Sequence, residues 1–306
     1  MMKSVHRALT FGFAFALACA RGVSAQQLEP RSYSNVPVGM DFLIAGDAYS
    51  HGGLSTNPAL RLTNAELSVH TPVVAYAHAF DAWGKSAKFD AIVGGGCLSG
   101  SADQDGVLRT RDVCGLLDPA FRLSINFHGA PAITLKEFAD YRQNLVAGAS
   151  LQVLPPWGQY DPTRLVNLGT NRWTFRPEIG ASQSFGALTV ELALGANFFT
   201  TNREFYGGKV LEQDPMFSLQ SHLIYQFRGG AWMALNGTYY TGGRTTVNGA
   251  RGSDLQKASR VGATLALPVD RHNSIKLHAS TGVSLRTGTD FDTVAVFWQY
   301  RWGGGL

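Results

Sequence analysis

The sequence predicts an all-β protein, a single antiparallel β-barrel of about twelve strands that crosses the bacterial outer membrane. Three observations lead to this prediction. An export signal opens the chain, and many segments of about 10–14 residues then alternate apolar with polar side chains. The connections between these segments alternate in length, with short periplasmic turns and long outer loops expected.

The N-terminus has the composition of a cleaved signal peptide. Lys3 and Arg7 give a basic start, and residues 9–20 form an apolar run. That run is shorter than the roughly 20 residues that a membrane-spanning helix needs. The small residues around Ala25 predict cleavage there, so that residues 1–25 are removed. In the alternative, a lipoprotein, Cys19 would be acylated.

Composition is consistent with a barrel whose wall averages lipid-facing and water-facing residues. Of the 306 residues, 16% are charged, against about 25% in soluble domains, and the mean hydropathy is −0.04. The signal holds three of the 26 basic residues and no acidic one, so its removal leaves 23 basic and 22 acidic residues. The pI near 9.0 therefore gives no support to nucleic-acid binding.

Two cysteines remain after the signal, Cys97 and Cys114. An exported protein meets an oxidising compartment, and the two flank a Gly/Ser/Asp-rich stretch. We expect a disulfide that clamps a surface loop, while two free thiols stay the alternative. A zinc site is not expected, because no His pair lies near them.

Alternation and turn signals place the strands. They are expected near residues 40–49, 67–80, 87–98, 116–127, 144–154, 172–185, 188–200, 216–228, 231–241, 259–267, 274–285 and 292–302. Residues 188–198 show the pattern well: Leu192 and Leu194 share one face, and Glu191 belongs to the other. A soluble periplasmic β-sandwich would alternate as well, with its apolar face inside.

The connections follow the expected asymmetry. Tight turns are predicted at 81–85, 185–187, 229–230 and 270–273. Longer outer loops fall near 50–66, 99–115, 155–171, 201–215 and 242–258. One further connection, residues 128–143, is longer than the other turns, and residues 134–138 within it could form a short helix at the periplasmic rim.

Aromatic residues lie near many strand ends, as in the girdles of membrane barrels. The last strand ends on Trp298, Tyr300 and Trp302, which is typical of the C-terminal signal read by the barrel-insertion machinery. The barrel domain is therefore expected over residues 26–302, and residues 303–306 are expected to form a flexible tail.

Several motifs resemble those of a known family. They are Gly148-Ala149-Ser150-Leu151-Gln152-Val153, Gly158-Gln159-Tyr160-Asp161-Pro162, Asn171-Arg172-Trp173, Pro177-Glu178-Ile179-Gly180, Tyr239-Tyr240-Thr241-Gly242-Gly243-Arg244, Arg260-Val261-Gly262-Ala263-Thr264-Leu265 and Trp298-Gln299-Tyr300-Arg301-Trp302. From about Leu28 onward the chain resembles the outer-membrane transporters named for the meta pathway of phenol degradation. The resemblance implies an outer-membrane barrel that admits aromatic or other hydrophobic compounds.

Candidate pore-lining residues come from the inward face of the predicted strands. They are Lys88, Asp90, Arg122, Arg176, Glu178, Glu191, Gln220, His222, Lys276, His278 and Arg301. Charges of both signs could select polar solutes, or they could pair with one another and fill a narrow barrel. A barrel of about twelve strands lies between the filled eight-stranded and the open sixteen-stranded cases.

A second candidate group lies in the outer loop at 155–171. Its members are Gln159, Tyr160, Asp161, Arg164 and Asn167. They could fold inward as a constriction or gate, or simply form a turn around Asp161-Pro162.

The sequence thus predicts a passive channel for small solutes, with no catalytic residue, metal or cofactor. His278 and Ser280 share one face but lack the surroundings of a catalytic pair. The expected partners are outer-membrane lipid, the insertion machinery and a small-molecule solute, with no nucleic acid. The alternatives are a closed-lumen structural or surface-interaction barrel and the soluble sandwich.

Overall fold

The structure, a computed structural model, describes residues 29–55, 62–104, 106–285 and 288–306. The signal peptide, its cleavage near Ala25 and the alternative at Cys19 lie outside these ranges. No helix of the described part is long and apolar enough to cross a membrane.

Strands dominate the described residues. In chain order they are β1 (Met40–Ser55), β2 (Leu62–Ala82), β3 (Lys85–Gln104), β4 (Val107–Leu116), β5 (Ala120–His128), β6 (Leu145–Leu154), β7 (Thr174–Phe185), β8 (Leu188–Phe199), β9 (Asn202–Phe205), β10 (Lys209–Gln213), β11 (Met216–Gln226), β12 (Trp232–Gly242), β13 (Thr245–Val247), β14 (Ala250–Arg251), β15 (Gln256–Pro268), β16 (Asn273–Leu285) and β17 (Gly288–Gly303). One short helix, α1 (Leu135–Phe138), lies between β5 and β6.

Antiparallel pairing closes the wall into a ring. The first strand pairs with the last, so that Met40 lies opposite Gly303 and Asp47 opposite Val296. From β1 the ring runs through β2, β3, β5, β6, β7, β8, β11, β12, β15 and β16 to β17. The twelve-stranded barrel predicted from the sequence is confirmed. Closure leaves the wall without an unpaired edge, which a sheet in lipid requires.

The two faces of the wall differ in chemistry. On β8, Leu192 and Leu194 face outward and are 51% and 56% exposed. Glu191 of the same strand faces inward and is 1% exposed. Buried polar side chains such as Arg122 and Gln220 recur on the inner face of other strands. A sandwich would place its apolar face inside, so the soluble-sandwich alternative is wrong.

Three of the predicted outer loops contain strands of their own. Residues 99–115 continue β3 and turn into β4, and β4 pairs with β3 from Gly95 to Gln104. In the two others, β9, β10, β13 and β14 form a separate four-stranded sheet around buried Phe205, Leu211 and Val247. Apart from β4, these strands are two to five residues long. Such short segments do not show an alternating pattern that would indicate a strand.

The predicted rim helix is present as α1. Thr134 caps it: its hydroxyl accepts a hydrogen bond from the Glu137 amide, and the Glu137 carboxylate accepts one from the Thr134 amide. This reciprocal pair is the capping box that stabilises helix N-termini.

The disulfide between Cys97 and Cys114 is confirmed. The two residues lie directly opposite each other on β3 and β4, with both side chains on the exposed outer face. The sequence had suggested a bond that clamps a surface loop. Instead, the bond joins two paired strands.

The outward face of β8 gives a direct test of the lipid assignment. Leu192→Arg should impair assembly into outer-membrane vesicles or liposomes, because a midplane arginine facing lipid costs roughly 2–4 kcal/mol. Glu191→Gln, one position along on the inner face, should assemble like the parent protein. Heat-modified gel mobility measures the folded fraction, and equal folded fractions for the two variants would contradict the assignment.

The disulfide should stabilise only the hairpin that β4 forms with the C-terminal half of β3. Reduction should speed tryptic cleavage at Arg109 or Arg111 near the hairpin tip, because a crosslink constrains the open state of that segment. The folded barrel band should stay unchanged on gels, since the ring closes without the bond. A Cys97→Ser/Cys114→Ser variant should respond to reductant in neither assay. Loss of the folded band on reduction would show that the ring depends on the bond.

Candidate functional site

The candidate site is the barrel lumen. Its wall carries a charged belt, defined as Lys88, Asp90, Arg122, Arg176, Glu178 and Glu191. The barrel has two ends: the turn end, with Met40, Gly303 and the short turns, and the loop end opposite to it.

One half of the belt is an ion-pair network on β3 and β5. Asp90 and Arg122 lie opposite each other in register, and Arg122 Nε donates to Asp90 Oδ2 at 2.9 Å. Lys88 Nζ lies 3.5 Å from Asp90 Oδ1. Because both members of the central pair are buried, each needs the other to offset its lost hydration.

The other half of the belt lies on β7 and β8 and contacts Gln220 of neighbouring β11. Glu178 accepts hydrogen bonds from Arg176 Nη2 at 3.0 Å and from Gln220 Nε2 at 2.8 Å. Glu191 is opposite His222 in the pairing of β8 with β11. Strand pairing thus brings residues distant in sequence into one polar layer.

A chain of neutral hydrogen bonds continues this layer around the wall. Asn236 Oδ1 is 2.8 Å from His222 Nδ1, and Asn236 Nδ2 donates to Thr264 Oγ1 at 3.0 Å. Thr264 Oγ1 is 3.0 Å from His278 Nδ1. Sequence reasoning had singled out the two histidines but had missed Asn236 and Thr264, which alternation alone places on the inner face.

The remaining two lining candidates occupy different places. Lys276 is on the inner face of β16 and lies close enough to Glu29 for their charges to interact. Arg301 is exposed at the turn end, where its Nε donates to the Arg271 carbonyl at 2.9 Å. It lies apart from the belt.

An N-terminal segment, residues 29–38, enters the lumen from the turn end. We call it the N-terminal plug. Glu29 Oε2 lies 3.3 Å from Arg122 Nη2. The two oxygens of Glu191 accept hydrogen bonds from the Ser32 and Tyr33 amides at 3.2 and 3.3 Å. This segment has neither alternation nor a recognisable motif, so the sequence does not indicate it.

The lower part of the plug is fixed to the turn end. Asn35 donates its amide to Gln143 Oε1 and its side-chain Nδ2 to the Pro131 carbonyl, both at 3.2 Å. Val38 donates to the Ile133 carbonyl at 3.0 Å. The long connection between β5 and β6 therefore anchors the plug.

Electrostatics determines the charge state of the plug. Burial raises the pKa of Glu29, but Arg122, Lys276 and Lys88 together lower it to about 2. Burial and the adjacent Glu178 carboxylate raise the pKa of Tyr33 above its ordinary value. At neutral pH Glu29 is therefore an anion and Tyr33 a neutral hydrogen-bond donor.

At the loop end, the connection between β6 and β7 packs against inward-facing wall side chains around Leu168, and we call its residues 158–172 the inner loop. Leu168 is buried against Leu67, Val69 and Leu98, with Val166 beside them. Gln159 donates its amide to the Leu116 carbonyl at 2.7 Å. An apolar layer thus lies between the charged belt and the loop end of the barrel.

The five gate candidates form the frame of this loop. Asn167 accepts a hydrogen bond from the Asp161 amide and donates to the Arg164 carbonyl. Asp161 also accepts from Thr163, which lowers the pKa of its exposed carboxyl. Tyr160 donates to the Glu204 carbonyl at 3.2 Å. This bond connects the inner loop to the four-stranded sheet of β9, β10, β13 and β14. Asp161 thus begins a turn closed by the Arg164 amide, and the role of these five residues as a gate stays a prediction.

Between plug and belt remains a small cavity with room for roughly one water molecule. Its lining includes Glu29, Tyr33, Arg122, Glu178, Glu191 and His222. Within the described residues no group of three His, Cys, Asp or Glu side chains could hold a metal ion.

A closed antiparallel ring that is apolar outside and charged inside defines an outer-membrane β-barrel. The chain belongs to the family described as "Putative MetA-pathway of phenol degradation", whose model matches residues 54–299. The family resemblance, the fold class and the outer-membrane location expected from the sequence are confirmed.

Solved structures share the fold. The COG4313 outer membrane channel from Pseudomonas putida F1 is 18% identical, with a TM-score of 0.76 over 90% of this chain and 100% of that one. The transport unit of the autotransporter AIDA-I from Escherichia coli is 8% identical, with a TM-score of 0.56 over 91% and 94%. Among curated protein sequences none matches significantly.

The bonds from Glu191 should hold the plug in the lumen. In a Ser32→Cys protein, Glu191→Ala should speed maleimide labelling of the new thiol, because two backbone amides lose their acceptor. Glu204→Ala removes an exposed carboxylate outside the lumen and should leave the labelling rate unchanged. Equal rates with and without Glu191→Ala would mean that other contacts suffice to hold the plug.

Proposed function

We propose that this protein is a passive outer-membrane channel for small solutes, aromatic or hydrophobic compounds among them. The observation that carries the proposal is that two segments, the N-terminal plug and the inner loop, enter the lumen from its two ends and contact its inner wall. The charged side chains of the wall lie between them.

The inserted segments are held less firmly than the wall. Each wall strand is paired with two neighbours. The plug is held by two hydrogen bonds to Glu191, by one each to Glu178 and Arg122, and by bonds with the side chains of Gln226 and Asn126. A segment held by side-chain contacts can leave without breaking the ring, since the backbone pairing between the wall strands does not include residues 29–38. Opening would therefore cost far less than unfolding.

The layers of the lumen suit amphiphilic solutes. A solute from outside would meet the apolar layer around Leu168 first and the charged belt next. The likeness to the outer membrane channel from Pseudomonas putida supports transport, and membership of a family named for phenol degradation supports an aromatic solute. No chemical step is proposed, and transfer would follow the solute gradient.

The membrane partners follow from the same architecture. Apolar side chains such as Leu192 and Leu235 contact outer-membrane lipid. An even number of wall strands puts both ends of the barrel domain on the periplasmic side, so the plug acts from the periplasm. The aromatic end of β17 is the proposed recognition element for the insertion machinery.

A closed-lumen structural barrel is the second candidate. The observation in its favour is that the buried Asp90 and Arg122 are paired and the residual cavity is small. Structural pairing of this kind would need no solute at all.

Conductance in planar bilayers distinguishes the two candidates. Deletion of residues 29–38 should raise single-channel conductance severalfold, because the deletion empties the lower half of the lumen. The matched control, Glu137→Gln in the exposed rim helix, should conduct like the parent. If the parent and the deletion variant both fold, as gel mobility shows, but neither gives channel events, the closed structural barrel is correct.

A further inference from the structure

Tyr33 of the plug occupies a defined seat in the lumen wall. Its side chain is 2% exposed, and its hydroxyl donates to Glu178 Oε1 at 2.9 Å. The Ser150 side chain lies near enough to interact with the hydroxyl. The phenol ring is thus recognised at its polar end as well as packed.

Two glycines make room for the ring. Gly148 on β6 and Gly180 on β7 lie opposite each other in register. A Cβ on Gly180 would overlap the Tyr33 ring, and one on Gly148 would come within 2.9 Å of its Cδ1 atom. Together the glycines form a shelf on the backbone of the wall, and the three atoms nearest to a Cβ on Gly180 all belong to the Tyr33 ring.

The polar end of the seat lies two residues along the same strands. Ser150 and Glu178 are the next inward-facing pair after the glycines. The Glu178 carboxylate is buried and also bound by Arg176 and Gln220. The wall therefore offers a flat aromatic shelf that ends in a fixed acceptor and a hydroxyl, which is the complement of a phenol.

Nothing in the seat itself requires that the phenol belong to the chain. The ring reaches it from a plug segment without strand pairing, and the two glycines and Glu178, which meet the ring and its hydroxyl, belong to the wall. A free hydroxylated aromatic compound would offer the same ring and the same hydroxyl. Its hydroxyl is neutral at pH 7, as that of tyrosine is.

We propose that the Gly148–Gly180 shelf with Ser150 and Glu178 is a binding subsite for hydroxylated aromatic solutes, and that Tyr33 occupies it as an internal surrogate ligand. A phenolic solute competes with Tyr33, so its binding loosens the plug. This proposal rests on the channel function proposed above and names the solute class.

The test uses Tyr33→Ala, which empties the seat without altering the wall. The probe is p-cresol, the side chain of tyrosine as a free molecule, and toluene is the probe without a hydroxyl. Titration calorimetry on the folded protein in detergent should show p-cresol binding at least about tenfold more tightly than toluene, because a hydrogen bond to a charged acceptor is lost with toluene. The parent protein should bind p-cresol more weakly than Tyr33→Ala does.

A matched double variant, Tyr33→Ala/Gly180→Ala, checks the position of the subsite. The added methyl group has room once the Tyr33 ring is gone, yet it blocks the shelf. It should weaken p-cresol binding by about tenfold or more, the effect of a Cβ inside the contact surface. Equal affinities for p-cresol and toluene, or an unchanged p-cresol affinity in the double variant, would overturn the proposal.

Current measurements separate this proposal from the channel function. In planar bilayers, p-cresol should reduce the current through Tyr33→Ala at concentrations where toluene does not. If no variant conducts, the channel proposal fails, while calorimetry still decides on the subsite. If Tyr33→Ala conducts but binds neither probe, the channel stands and the phenol subsite is rejected.

Discussion

Backbone hydrogen bonding in lipid is the constraint on which the rest of this structure depends. A strand that crosses hydrocarbon has no water to satisfy its N–H and C=O groups, so the sheet must close on itself. Pairing of β1 with β17 completes that closure. Period-two alternation then fixes the chemistry of both sides at once: each outward leucine on β8 implies an inward neighbour such as Glu191.

Closure also explains why the lumen is polar and why the plug contacts its charged side chains. The inner face collects charges from strands far apart in sequence, and buried charges are tolerated only when paired. The wall pairs some of them, as Asp90 with Arg122, and the plug completes others through Glu29 and through the amides that Glu191 accepts. Plug and belt therefore stabilise each other, and removal of the plug leaves carboxylates that a solute could use.

The wall was predictable from the sequence, while the contents of the lumen were not. Strand positions, the rim helix at Thr134 and the Cys97–Cys114 bond follow from local patterns of alternation, capping and compartment. The inner-loop candidates were identified as a group, but their contact with Leu67 and Val69 depends on long-range folding. Tyr33 gave no signal at all, because its seat exists only after Gly148 and Gly180 pair. Arg301 lies on the expected face, yet its position at the rim depends on where the membrane-spanning part of β17 ends.

The central claim, that alternate residues of one strand face lipid and lumen, can be measured directly by spin labelling. Nitroxides placed in turn at residues 190–196 of β8 in reconstituted bilayers report collision with oxygen, which concentrates in lipid. The structure predicts high oxygen accessibility at 192 and 194 and low accessibility at 191, 193 and 195. Uniform accessibility along these positions, or the opposite alternation, would contradict it.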